Sequence, residues 1–115
     1  TCLLTLHFIP AEERLQTLKA LWQRLRPGAP LIVAHHSFPQ ASDEKARWLK
    51  RYAAFAVDSG VPAADAERAI AAISEKLPVL SPEADAALLV EAGFEGVELF
   101  YAGFSFKGWI AHKPL

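Results

Sequence analysis

Leu25-Arg26-Pro27-Gly28-Ala29-Pro30-Leu31-Ile32-Val33-Ala34 is the stretch that decides the fold. Pro27 and Gly28 end a helix, and the four apolar residues at 31–34 read as a buried strand. Upstream, Leu15, Leu18, Leu21, Trp22 and Leu25 recur at helical spacing after Pro10. Glu12 and Glu13 sit at the positive end of that helix and Arg24 and Arg26 at its negative end, so the pattern predicts a helix over 11–25. Residues 2–8 are apolar apart from Thr5 and His7, which suits a strand covered on both faces of a parallel sheet. Residues 2–34 thus form a strand, helix, strand unit with a right-handed crossover.

Downstream, Ser42 can cap a helix over 43–58 whose apolar residues, among them Trp48, Leu49, Tyr52, Phe55 and Val57, spread over more than one face. After Gly60 and Pro62, a stripe of Ala66, Ile70, Ile73 and Leu77 marks another helix. Two helices therefore stand where a simple α/β unit has one, and residues 40–78 read as an inserted helical cap over a site. Ser81-Pro82-Glu83 opens a helix over 82–92 that Gly93 and Phe94 close. Residues 97–101 and 106–112 are aromatic-rich strands joined closely enough to pair antiparallel. The expected class is α/β, with two parallel strands and a crossover helix, inserted helices, then a helix and a carboxyl-terminal antiparallel hairpin.

With 115 residues, 52% of them hydrophobic, the chain has material for one core. The formal net charge is −1 and no run of Lys or Arg stands out, so a small-molecule partner is expected rather than nucleic acid or an anionic membrane. A lone cysteine, Cys2, excludes an internal disulfide framework, and no apolar stretch reaches the roughly 18 residues of a membrane span. A reducing cytoplasm is the default compartment. The apolar opening without a methionine suggests a chain entered in mid-fold, so that residues 1–115 make a single partial domain.

This order of elements resembles the carboxyl-terminal half of class I S-adenosylmethionine-dependent methyltransferases, a Rossmann-like fold. Leu4-Thr5-Leu6-His7-Phe8 with Pro10 and Glu13-Arg14 resembles that family's fourth strand and following helix. Leu25-Arg26-Pro27-Gly28 before Leu31-Ile32-Val33 is similar to the approach to its fifth. Glu91-Ala92-Gly93-Phe94 and Gly108-Trp109-Ile110-Ala111-His112-Lys113 resemble its last helix end and last strand. The resemblance implies S-adenosylmethionine as cofactor, with Leu3, Leu4 and Thr5 on the cofactor side. The family's glycine-rich turn and ribose-binding acid are not in this sequence, so the chain alone is expected to bind the cofactor weakly or not at all and to be inactive by itself. Methyl transfer to a small-molecule acceptor needs mainly alignment of that acceptor with an already activated methyl group.

In open α/β sheets, ligands bind beyond the carboxyl ends of the parallel strands, here around His7-Phe8 and His35-His36-Ser37. The hairpin turn should lie at the same end and add Phe104 and Phe106 as walls. Trp48, Tyr52 and Phe55 then close the top of an aromatic pocket for an apolar or planar acceptor, although such a stripe is more often core. His35 and His36, adjacent on a strand, should point to opposite faces, so no shared metal is expected. Either these histidines or His7 serve as a base, or they are polar strand-end residues with water or backbone partners. Cys2 reads as a small core residue rather than a nucleophile.

Two other readings are open. Leu4-Thr5-Leu6-His7-Phe8 and the closing hairpin also resemble carboxy-S-adenosylmethionine synthase, which serves transfer-RNA modification. That likeness implies a cation for the cofactor's extra carboxylate, yet Ala69 to Ser74 holds no Lys or Arg, Arg68 being nearest. Alternatively, the chain is a noncatalytic module whose first strand, lacking a neighbour, pairs with a second copy in a homodimer.

Overall fold

The computed structural model describes all 115 residues. Its elements are β1 (Cys2–Leu3), a 3-10 turn (Leu6–Phe8), α1 (Ala11–Arg24), β2 (Pro30–His36), α2 (Ser42–Asp58), α3 (Ala63–Lys76), α4 (Pro82–Glu91), β3 (Glu95–Gly103) and β4 (Phe106–His112). They form one sheet in the order β1-β2-β4-β3. β1 and β2 run parallel, with Cys2 opposite Val33 and Leu3 opposite Ala34. β4 is antiparallel to both β2 and β3, which puts the β3–β4 turn at the carboxyl ends of β1 and β2. Phe106 thereby lies opposite His36.

The first strand is shorter than its apolar run suggests. Leu4 adopts φ 57, a left-handed conformation that ends the ladder after Leu3, and the chain turns at once into Leu6–Phe8. β1 has a neighbour on one side only. Leu3, Leu4 and Phe8 are accordingly 56%, 55% and 65% exposed, not covered on both faces, while Leu6 and His7 turn inward.

The main core lies where α1 and α4 meet the sheet. Leu18 of α1, Leu31 and Val33 of β2, Leu89 of α4, and Trp109 and Ala111 of β4 are buried together with Leu6, Ala92 and Phe94. α4 starts as its sequence dictates, Ser81 Oγ accepting the Ala84 N–H at 3.2 Å, with Pro82 in the first turn. It stops at Gly93, whose φ of 108 suits glycine and whose carbonyl accepts the Trp22 indole N–H at 3.0 Å. By contrast, Ser42 is the first helical residue of α2 and makes no capping bond. Ala41 stands at the cap, its carbonyl taking the Lys45 N–H, and Asp43 and Glu44 complement the positive end.

α2 and α3 pack on each other around a separate cluster of Phe38, Leu49, Ile73 and Val79, with Trp48, Tyr52, Ile70 and Leu77 against it. In β3 the pairing register shifts between Glu95 and Glu98 and between Leu99 and Tyr101. The alternation of faces fails there, leaving Leu99, Phe100 and Tyr101 exposed on an edge strand.

One polar centre joins the layers. Arg14 of α1 is fully buried and donates from Nη1 to Asp85 Oδ1 of α4 at 2.6 Å, and its Nη2 and Nε satisfy the carbonyls of Pro78 and Ile9. Ser37, just past β2, donates its hydroxyl to Asp85 Oδ2 at 2.6 Å. Removing one member of a buried pair strands the other charge, so Asp85→Ala should lower unfolding free energy by about 3–5 kcal/mol. Urea unfolding of the variant measures this, and a loss within about 0.5 kcal/mol, typical of a surface substitution, would show that the pair is not the structural centre.

Candidate functional site

The carboxyl ends of β1 and β2 and the β3–β4 turn bring together His7, His36, Ser105, Phe106 and Lys107. His36 stacks on Phe106 with ring centroids 4.1 Å apart, and Tyr52 of α2 approaches both rings edge-on at 5.4 Å and 6.1 Å. His7 lies 4.9 Å from the His36 ring and 4.6 Å from Phe8. Phe104, at φ 54 in the turn, stacks on Phe55 of α2 at 4.7 Å, and both are about half exposed. Of the aromatic residues expected here, Tyr52 and Phe106 touch the histidines, Phe55 and Phe104 form an outer pair, and Trp48 leans on the α2–α3 core.

His35 diverges from His36. It packs against Trp109 at 5.5 Å and puts Nε2 3.2 Å from Asp85 Oδ1, off the line of a hydrogen bond. At 1% exposure it belongs to the polar centre rather than to a ligand surface. No group of three or more His, Cys, Asp or Glu is placed to hold a metal ion.

The hydrogen bonds fix what the other two histidines can do. The backbone N–H of His36 donates to His7 Nδ1 at 2.9 Å, so neutral His7 carries its proton on Nε2. His36 Nδ1 lies 2.9 Å from the hydroxyl of Ser105, which is fully buried. That hydroxyl has no other acceptor, so it donates to Nδ1 and leaves His36 also as the Nε2–H tautomer. The only buried side-chain nitrogens or oxygens without a partner are those of His35. Nε2 of His7 and Nε2 of His36 make no hydrogen bond within the protein, and the two residues are 4% and 6% exposed. In this tautomer neutral His7 has a backbone partner at Nδ1 and a donor at Nε2.

Burial holds both imidazoles down to about 4 from an ordinary 6.5, reinforced at His7 by His35 and Arg14 and at His36 by His7, His35 and Lys107. Lys107, 7% exposed, donates to the carbonyls of Ser37 and Phe104, each at 3.0 Å, and lies 4.4 Å over the Trp48 ring. Burial lowers its affinity for a proton. Sequence reasoning missed Lys107 and Ser105. A lysine inside the apolar run Phe106-Lys107-Gly108-Trp109-Ile110-Ala111 is the signal that could have found the first. Ser105 has no comparable signal, since its role depends on a partner 69 residues away.

Two grooves, about 400 and 480 Å³, lie between α2 and α3 beside Ala53 and Ala66 and beside Leu49 and Ile70. None of the expected site residues lines them. Leu3 and Leu4, expected on the cofactor side, turn apolar side chains outward, and the Thr5 hydroxyl bonds to Leu3 O.

Because the unfolded chain protonates these histidines near 6.5 and the folded one near 4, the unfolded state binds more protons between those values. Stability should therefore be full above pH 6.5 and decline as pH falls toward 4. Unfolding curves across that range check this, and His7→Gln with His36→Gln should flatten the slope; an unchanged slope would contradict the assignment.

No protein-family model matches the chain. It is 26% identical over 110 residues to carboxy-S-adenosyl-L-methionine synthase of Desulfotalea psychrophila, covering 96% of this chain and 45% of the relative. The synthase of Pasteurella multocida is 27% identical over 109 residues, with 95% and 45% covered. The chain thus spans under half the length of these relatives. Human N-acetylserotonin methyltransferase in complex with S-adenosylmethionine superposes with TM-score 0.63 at 15% identity, over 98% of this chain and 28% of that one. The S-adenosylmethionine-dependent methyltransferase SibL gives 0.64 at 15% identity, over 96% and 29%. PigF with SAH gives 0.61 at 13%, over 96% and 28%. The chain has an α/β fold of the class I methyltransferase type and corresponds to part of those larger proteins.

Proposed function

We propose that this chain is the acceptor-facing part of an S-adenosylmethionine-dependent methyltransferase acting on a small molecule. The observation that carries the reading is the cluster of His7, His36, Tyr52 and Phe106 beyond the carboxyl ends of the parallel strands, where open α/β sheets bind ligands. The methyltransferase-type fold supports it. α2 extends Tyr52 over that end, in keeping with residues 40–78 acting as a cap that selects the acceptor.

The residues present do not by themselves fit the whole cofactor. Leu3 and Leu4 offer an apolar wall, but the Thr5 hydroxyl is engaged with Leu3 O and the nearby carboxylate of Asp85 is bound by Arg14 and Ser37. No carboxylate at this end is free to accept both hydroxyls of a ribose diol. The chain's own contribution is to orient an acceptor, with aromatic faces at its sides and Nε2–H donors at His7 and His36.

A second reading, an enzyme like carboxy-S-adenosylmethionine synthase, is favoured by the names of the curated relatives and their alignment along nearly the whole chain. Both readings need a cofactor segment outside these 115 residues. Calorimetric titration of S-adenosylmethionine into the 115-residue chain should give no saturable heat. Micromolar binding at one site per chain would mean that the cofactor is held by residues other than those expected, and would overturn this division of the fold.

A further inference from the structure

The two grooves between α2 and α3 meet in one channel. Lys50 of α2 and Glu67 of α3 line both, so they stand at its middle on opposite banks. Ser42 and Ser74 close one end, Val57 and Ala63 the other, so the helices run antiparallel. On α2 the lining residues Ala46, Lys50, Ala53, Ala54 and Val57 recur at helical spacing, and on α3 Ala63, Glu67, Ala71 and Ser74 do the same. Each set makes one stripe along its helix. Tyr52 lies about half a turn around α2 from Lys50, so the stripe faces away from the side that meets His36 and Phe106.

A helix face left in water ordinarily carries charged and polar side chains. Here Ala46, Ala54, Ala63 and Ala71 are exposed, and Val57 is 46% exposed. Small side chains on both banks let another helix approach closely. Lys50 and Glu67 are exposed as well, and neither enters an ion pair. The hairpin buries a cluster of four residues, and helices draw most of their stability from packing such amphipathic faces.

The charge pattern names the occupant, because it is complementary to itself. Turned about a two-fold axis along the channel, a second copy sets its α3 against α2 and its α2 against α3. Lys50 then meets the partner's Glu67, and Glu67 the partner's Lys50. Every helix has antiparallel neighbours, the packing of an up-and-down bundle, in which the helix dipoles oppose one another. We propose that two copies of this chain associate through the α2–α3 face as a four-helix bundle, with reciprocal Lys50–Glu67 ion pairs across it. The helices have 17 and 14 residues and so measure about 25 and 21 Å. The face is thus at the small end of specific interfaces, and a dimer of micromolar or weaker affinity is expected. The association braces α2, whose other side holds Tyr52 over the strand ends. It does not depend on the methyltransferase reading.

Sedimentation velocity of the 115-residue chain, from micromolar to millimolar concentration, reads the association, and a dimer should grow in with concentration. Lys50→Glu and Glu67→Lys should each weaken it about tenfold or more, since each sets like charges together at two symmetric contacts. The double exchange should restore it. Ala54→Arg puts a long charged side chain into the channel and should leave a monomer with unchanged helix content by circular dichroism. These three positions are exposed, so the fold tolerates the changes. A monomer at every concentration would overturn the proposal. So would a dimer indifferent to Ala54→Arg, such as one joined at the β1 edge, or a double exchange that associates no better than either single variant.

Discussion

The bond between Arg14 and Asp85 is the constraint on which the rest of the structure depends. With side chains 1% and 3% exposed, the pair ties α1 to α4 across one face of the sheet. Such a charge pair is tolerated in an interior only when its remaining donors and acceptors are bound, and here the carbonyls of Ile9 and Pro78 and the Ser37 hydroxyl do this. Each of those partners lies at a junction. Ile9 follows the 3-10 turn bearing His7, Pro78 leads into α4, and Ser37 ends β2 immediately after His36. The polar centre therefore sets where the first strand turns, where α4 enters and where the histidine-bearing strand ends.

The site inherits its chemistry from that arrangement. Because Asp85 is held by Arg14 and Ser37, its carboxylate is turned into the interior, and the groups gathered at the strand ends are imidazoles and aromatic rings. His7 accepts from the His36 backbone N–H and His36 bonds to the buried Ser105, contacts that orient both rings, while burial keeps them neutral at physiological pH. Rings fixed in this way orient a ligand and polarise an acceptor atom better than they remove a proton. The methyl transfer proposed above, whose donor is already activated, would ask mainly for such orientation.

Much of the fold was legible in local sequence because local rules govern those parts. The stripe from Leu15 to Leu25, the Ser81-Pro82 start and Gly93 stop of α4, and the run Leu31 to Ala34 all form as their patterns require. The errors fall where a neighbour decides. The apolar run at residues 2–8 reads as a buried strand, but at a sheet edge with Leu4 in a left-handed conformation it pairs only through Leu3. The aromatic-rich strand expected over 97–101 forms, but shifts of register leave its Phe100 and Tyr101 exposed. The gathering of His7, His36 and Phe106 at the strand ends followed from topology, and the divergence of His35 from His36 from strand periodicity. Lys107, Ser105 and the closing of Arg14 on Asp85 depend on contacts 69 to 71 residues apart in the chain. No local pattern encodes those contacts.

The claim at the centre of this account is that His7 and His36 face the ligand as fixed neutral donors. Long-range proton–nitrogen correlation of the imidazoles at pH 7 reads their tautomers directly. Both rings should carry the proton on Nε2 with an unprotonated Nδ1; a proton on Nδ1 of either ring, or a doubly protonated imidazolium, would contradict it.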